Sequence, residues 1–173
     1  LLAAEARGPV ILVGHSMGGT TSLLAAAADL ARVKALALFD PVLFDAAHAG
    51  EIVSDNRLAD GADRRRATFP SKAAVVSAYT GRGGFRTWRP EQLADYVEAG
   101  FRETATGEVT LTCTPAWEAS NFRNHNYDPW AALRDSRCRI RMLRADNDST
   151  ARIADHEAEL LATGRVAIET VSG

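Results

Sequence analysis

The residues best placed to do chemistry lie near the start of the chain, where Gly14-His15-Ser16-Met17-Gly18 holds a serine between glycines. A serine hydroxyl becomes a useful nucleophile when it is exposed beside a base and faces a place where negative charge can be held. The G-x-S-x-G spacing answers the first need, because Ser16 would sit on a sharp, strained strand-to-helix turn with its hydroxyl lifted above a sheet. Side chains two places before and two places after would collide there, so glycine is expected at both Gly14 and Gly18. The N–H of Met17, at the positive end of the following helix, would point to where a tetrahedral oxyanion forms. Taken bare, the pattern fits an ordinary turn serine. The strand before it, the helix after it and a further Gly19 for close packing make it a nucleophile site.

The elements that must position this serine follow from the pattern on either side. Val10 to Val13 is a β-branched-rich run bounded by Gly8-Pro9 and Gly14, which reads as a buried strand of a parallel sheet. Met17 to Arg32 carries Leu23, Leu24, Ala27, Leu30 and Ala31 at helical spacing, and Val33 to Phe39 is the next strand, stopped at Asp40-Pro41. Strand, helix and strand in succession imply parallel pairing. From Phe44 to Trp130 the strand rhythm gives way to helical, polar sequence, with helices expected at Ser71–Tyr79, Pro90–Phe101 and Pro115–Phe122 and an extended piece at Val109–Cys113. Arg64-Arg65-Arg66 reads as a solvated face. Strand character returns at Arg139–Leu143, where alternating arginines suggest a place towards the sheet edge, and again at Val166–Val171. Between them a helix is expected from Ser149 or Thr150 to Leu161, closed by Gly164.

On the residues Gly14 to Gly19, the chain resembles the α/β-hydrolase fold superfamily, specifically the serine hydrolases whose elbow reads Gly-His-Ser-Met-Gly-Gly. The resemblance implies an α/β fold, partly represented, with a mostly parallel sheet flanked by helices and a helical cap inserted after the sixth strand. Residues 1–44 would form core, 45–131 the cap, and 132–173 core again. It implies acyl-enzyme hydrolysis of small esters or related carbonyl compounds, with acyl transfer, carbon–carbon hydrolysis, perhydrolysis or a non-catalytic binding role as alternatives on the same fold. The family order is serine, acid, histidine. Asp148 matches the acid's place, with Asp146 as the alternative and Asp40, closing the sixth strand, as a third candidate. The family histidine follows the last strand, and His15, His48, His125 and His156 do not match that place. With the elbow strand fifth of eight in that fold, the chain reads as an internal piece of a longer enzyme, inactive alone, with its second oxyanion donor upstream of Leu1 and its base beyond Gly173. Trp88, Trp117, Trp130, Tyr96, Phe101 and Phe122 would form the cap's core or line an acyl pocket.

Composition narrows the partners. The 173 residues carry a net charge of −2 with both signs interspersed, which gives no polyanion-binding surface, so neither nucleic acid nor membrane is expected as a partner. Two cysteines, Cys113 and Cys138, have no metal or redox spacing and point to a reducing, cytoplasmic setting. A small-molecule substrate with no cofactor and no metal is the expectation, with the oligomeric state open.

Overall fold

The computed structural model describes residues 2–5, 8–44, 51–52 and 56–172. The chain divides into two compact units, residues 1–51 with 125–173, and residues 52–124. The first unit opens with α1 (Leu2–Glu5), then β1 (Val10–His15), α2 (Met17–Ala28) and β2 (Val33–Phe39). After β3 (Glu51–Ile52), the second unit contributes α3 (Arg57–Asp63), β4 (Thr68–Phe69), α4 (Lys72–Tyr79), α5 (Pro90–Gly100), β5 (Phe101–Glu103), β6 (Val109–Leu111) and α6 (Pro115–Arg123). Following β7 (Asn124–His125), the first unit resumes with α7 (Pro129–Asp135), β8 (Arg139–Ala145), α8 (Glu157–Ala162) and β9 (Val166–Val171).

Four strands of the first unit form one sheet in the order β1-β2-β8-β9, and each neighbouring pair is parallel. Leu36, Leu38, Ile140 and Met142 lie in register on adjacent strands and turn inward. They pack with Leu23 and Ala26 of α2 and with Trp130 and Leu133 of α7, so the alanine-rich helix does approach the sheet closely. The opposite face is open. Among the described residues β1 ends the strand order, and its Ile11 and Val13 are 62% and 66% exposed. β8 lies one strand in from β9, towards that end of the sheet. It is internal, between β2 and β9, and its alternating arginines mark a solvent face on which Arg141 pairs with Glu169 at 2.8 Å.

Other boundaries moved for local reasons. α2 stops at Ala28 because Asp29 turns back to bind the N–H and guanidinium of Arg32. The helix expected from Ser149 is absent over its first turns. Both hydroxyls there are drawn to Asp40, and Ala151 bridges Leu43 in a parallel pair, which holds the backbone extended until a 3-10 turn at Ala154–His156. Trp130, read with the cap aromatics, is 4% exposed in the first unit's core and donates its indole N–H to Phe44 O.

The second unit contains a three-stranded antiparallel sheet, β4-β6-β5, besides its helices. Phe69, Val75, Leu93, Val97, Phe101, Val109 and Leu111 form its core. Arg65 is no solvated charge. Its guanidinium donates to both Glu118 oxygens at 3.2 and 3.0 Å and to the hydroxyls of Tyr79 and Tyr96 at 3.3 and 2.5 Å. Burial works against its charge, but the two tyrosine bonds outweigh this and raise the guanidinium pKa further.

The two faces of β8 should respond differently to truncation. Met142→Ala, at a fully buried position, is expected to cost about 2–5 kcal/mol, whereas Arg141→Ala should stay within about 0.5 kcal/mol. Urea midpoints of the two variants measure both.

Candidate functional site

The carboxyl ends of β1, β2 and β8 lie side by side, with His15 beside Phe39 and Phe39 beside Leu143. Three loops therefore leave the sheet at one edge, the usual place for ligand sites in open α/β sheets. Each contains a non-glycine residue in the left-handed region: Ser16 at φ 52°, Asp40 at φ 42° and Asp148 at φ 51°. Among the described residues there are no others of this kind. Such conformations cost about 1–3 kcal/mol each and persist where the surroundings over-determine them.

Ser16 is the turn residue between β1 and α2, at φ 52° and ψ −125°. Its N–H donates to Phe39 O at 2.9 Å, and its carbonyl accepts from Gly19 N–H at 2.9 Å and Thr20 N–H at 3.2 Å. Those bonds use the backbone and leave the hydroxyl out of the helix cap. Thr20, 1% exposed, locks the turn from below by donating its hydroxyl to Val42 O at 2.8 Å. The Met17 N–H, first in the helix, has no intrahelical acceptor, and none outside the helix occurs among the described residues.

The glycines divide differently from expectation. A Cβ on Gly14 would lie 2.3 Å from Gly18 O, and one on Gly19 would lie 3.0 Å from the Pro41 Cβ. Around Gly18 there is open space within 4 Å. The spatial demand at the turn thus falls on Gly14 and Gly19, because the backbone of α2 crosses over Gly14 while Gly18 points away from the strand.

Asp40 is the most heavily bonded of the three strained residues. Its Oδ1 accepts from Ala145 N–H at 3.2 Å and the Ser149 hydroxyl at 2.5 Å. Its Oδ2 accepts from Thr150 N–H at 2.9 Å and the Thr150 hydroxyl at 3.1 Å. Desolvation pushes its carboxyl pKa up, but these four bonds together hold it below the ordinary carboxylate value. Asp148, in the loop that Asp40 binds, is exposed. It caps no helix, since none begins there.

A model of the alpha/beta hydrolase family matches residues 1–171. The chain belongs to that family. Solved structures of similar fold include E-2-(acetamidomethylene)succinate hydrolase, with TM-score 0.72, 22% identity, 99% of this chain covered and 61% of that one. Another is the peroxisomal alpha-beta-hydrolase Lpx1 of Saccharomyces cerevisiae, with TM-score 0.73, 14% identity, and 99% and 49% coverage of the respective chains. An esterase from Mycobacterium tuberculosis gives TM-score 0.61 at 18% identity, with 99% and 55% covered. The chain thus spans about half to three-fifths of the length of these structures. No curated protein matches it in sequence.

In this family member Asp146 stands apart from Asp148. It lines an open cleft of about 500 Å³ with Phe39, Asp40, Leu143, Ala145 and Val171, at the carboxyl end of the sheet. Its N–H is tied to Val171 O at 3.1 Å, and one carboxylate oxygen accepts from Asn147 Nδ2 at 3.0 Å. Of the histidines, His15 ends β1 exposed, His125 lies in β7, and His156 packs at a tilt against Trp130 with ring centroids 4.4 Å apart. His48 lies outside the described residues. Among the described residues, no group of three or more His, Cys, Asp or Glu could hold a metal ion, and no helix is long and apolar enough to cross a membrane.

Two outcomes follow from these contacts. Gly14→Ala should destabilise by about 3 kcal/mol or more through overpacking against backbone, while Gly18→Ala should be neutral or stabilising by up to about 1 kcal/mol from helix propensity; paired urea denaturation curves decide. Because the folded pKa of Asp40 is depressed, its contribution to stability is complete above the ordinary carboxylate pKa of about 4 and is lost as pH falls through the lower folded value. The stability gap between the native protein and Asp40→Asn should therefore narrow between about pH 5 and pH 2, read from denaturant midpoints across that range.

Proposed function

We propose that the whole protein is a serine hydrolase working through an acyl-enzyme, with Ser16 as nucleophile. The observation that carries this reading is the strained turn at Ser16, whose backbone bonds are all satisfied by neighbours while its hydroxyl is left uncommitted to the helix cap. Family membership supports the reading, as do the hydrolases and esterase of similar fold.

In this reading Ser16 Oγ bonds to the carbonyl carbon of a small ester or related substrate and gives up its proton to a histidine base. The carbonyl π pair moves to oxygen, where the Met17 N–H at the start of α2 holds the charge. Collapse of the tetrahedral species expels the alcohol, which takes the proton back from the base. Water then attacks the acyl-enzyme in the same way and releases the acid. Asp148 orients the base and stabilises its imidazolium form. Its exposed position at the carboxyl edge of β8 supports that role, whereas Asp146 already accepts from Asn147 and is tied to β9. The second unit serves as the cap. Trp88 and Trp117 are 42% and 65% exposed on that unit.

A fluorophosphonate probe should label the whole protein at Ser16, and Ser16→Ala should abolish both labelling and ester turnover. Asp148→Asn should lower kcat by up to about 10⁴-fold, while Asp146→Asn stays within a few-fold. Labelling at another residue, or full turnover by Ser16→Ala, would falsify the assignment.

A further inference from the structure

Asp40 is the most fully coordinated acid at the carboxyl edge of the sheet, yet the reaction written above does not use it. A carboxylate presents about four acceptor sites. At Asp40, Oδ1 accepts from Ala145 N–H and the Ser149 hydroxyl and Oδ2 from Thr150 N–H, while the Thr150 hydroxyl, with one proton to give, lies 2.8 Å from the Asp40 carbonyl oxygen and 3.1 Å from Oδ2. Both carboxylate oxygens are thereby tied to the same short stretch of chain. The four donors come from residues 145–150, the loop that carries Asp148.

The same stretch of backbone reaches the nucleophile. Phe39 O accepts from Ser16 N–H at 2.9 Å, Val42 N–H donates to Ser16 O at 3.4 Å, and Val42 O accepts from the Thr20 hydroxyl at 2.8 Å. On its other side Asp40 N–H donates to Leu143 O at 2.7 Å, and Leu43 N–H to Thr150 O at 3.0 Å. Phe39 to Leu43 is thus bonded to the serine turn along one side and to the acid loop along the other. Asp40 takes φ 42°, a conformation a side chain resists, so its position is fixed by these bonds rather than by local preference.

We infer that Asp40 is a positioning residue, which clamps the loop of Asp148 in register with the Ser16 turn and so sets the distance between acid, base and nucleophile. This rests on the serine-hydrolase reading above. A displacement of about 1 Å in such an array is worth up to about 10²-fold in rate, and the bonds of Asp40 span the two loops.

The test is steady-state kinetics on the whole protein with Asp40→Asn, Ser149→Ala and Thr150→Val, beside Ser16→Ala and Asp148→Asn. Asp40→Asn keeps the size but sets an N–H₂ against N–H donors. It should lower kcat by about 10²-fold with KM within about twofold, and Ser16 should still be labelled by a phosphonate, more slowly. The ascending limb of the pH profile should also move to lower pH, because a displaced Asp148 stabilises the imidazolium less; a general loss of folded protein would lower the amplitude and leave the limb in place. Ser149→Ala and Thr150→Val, each removing part of the clamp, should move the same limb by less, and they decide the matter if Asp40→Asn does not fold. Unchanged kcat and limb in these variants, with Asp148→Asn inactive, overturns the inference. So does an inactive Asp40→Asn beside a fully active Asp148→Asn, which would make Asp40 the acid itself. Full turnover by Ser16→Ala removes the underlying reading instead, and the inference with it.

Discussion

Everything at the carboxyl edge of the sheet depends on how the backbone leaves β2. Parallel strands deliver their loops to one end, but nothing in a parallel sheet fixes those loops relative to one another. Here the connection is made by Phe39 to Leu43, which hydrogen-bonds the Ser16 turn on one flank and residues 145–150 on the other. Three left-handed non-glycine residues are tolerated within this small region. Each carries a conformational cost of about 1–3 kcal/mol, which at Ser16 and Asp40 is offset by the bonds those residues make.

The two faces of the sheet differ in what the described residues pack against them. Leu36, Leu38, Ile140 and Met142 are buried under α2 and α7, while Ile11 and Val13 carry the same kind of side chain on the bare face. The arginines of β8 reconcile an internal strand with solvent on one side, since pairing is a backbone matter and exposure is decided by what packs above.

The second unit is organised by a different principle. Its core is aromatic and aliphatic, with Phe69, Tyr79 and Phe101 in mutual edge contact and Phe85 stacked on Tyr79. Arg65 joins Tyr79 of α4, Tyr96 of α5 and Glu118 of α6 in one network. A partly buried guanidinium is stable only when its donors are met, and three helices supply them. The triple-arginine run gives no sign of this, because Arg64 and Arg66 are exposed and only the middle residue turns inward.

The sequence by itself determined the strand–turn–helix at Ser16, the parallel strands on either side of the inserted unit, and caps such as Ser71 and Gly164. These are local, set by backbone sterics and by side chains within a few residues. It left Asp148, Asp146 and Asp40 as alternatives, because spacing does not reveal which oxygens are already taken. Only the tertiary structure decided that Asp40 is hydrogen-bonded by a loop more than a hundred residues away, that the tight glycines are Gly14 and Gly19, and that the segment from Ser149 stays extended. Of the short strands, β6 was expected as the extended piece at Val109–Cys113, while β4 and β5 were out of reach for the same reason: two or three residues carry no periodicity, and pairing is decided across the chain. What the chain encodes locally is the serine turn, and what it encodes only on folding is the set of bonds through Phe39 to Leu43 that ties residues 145–150 to it.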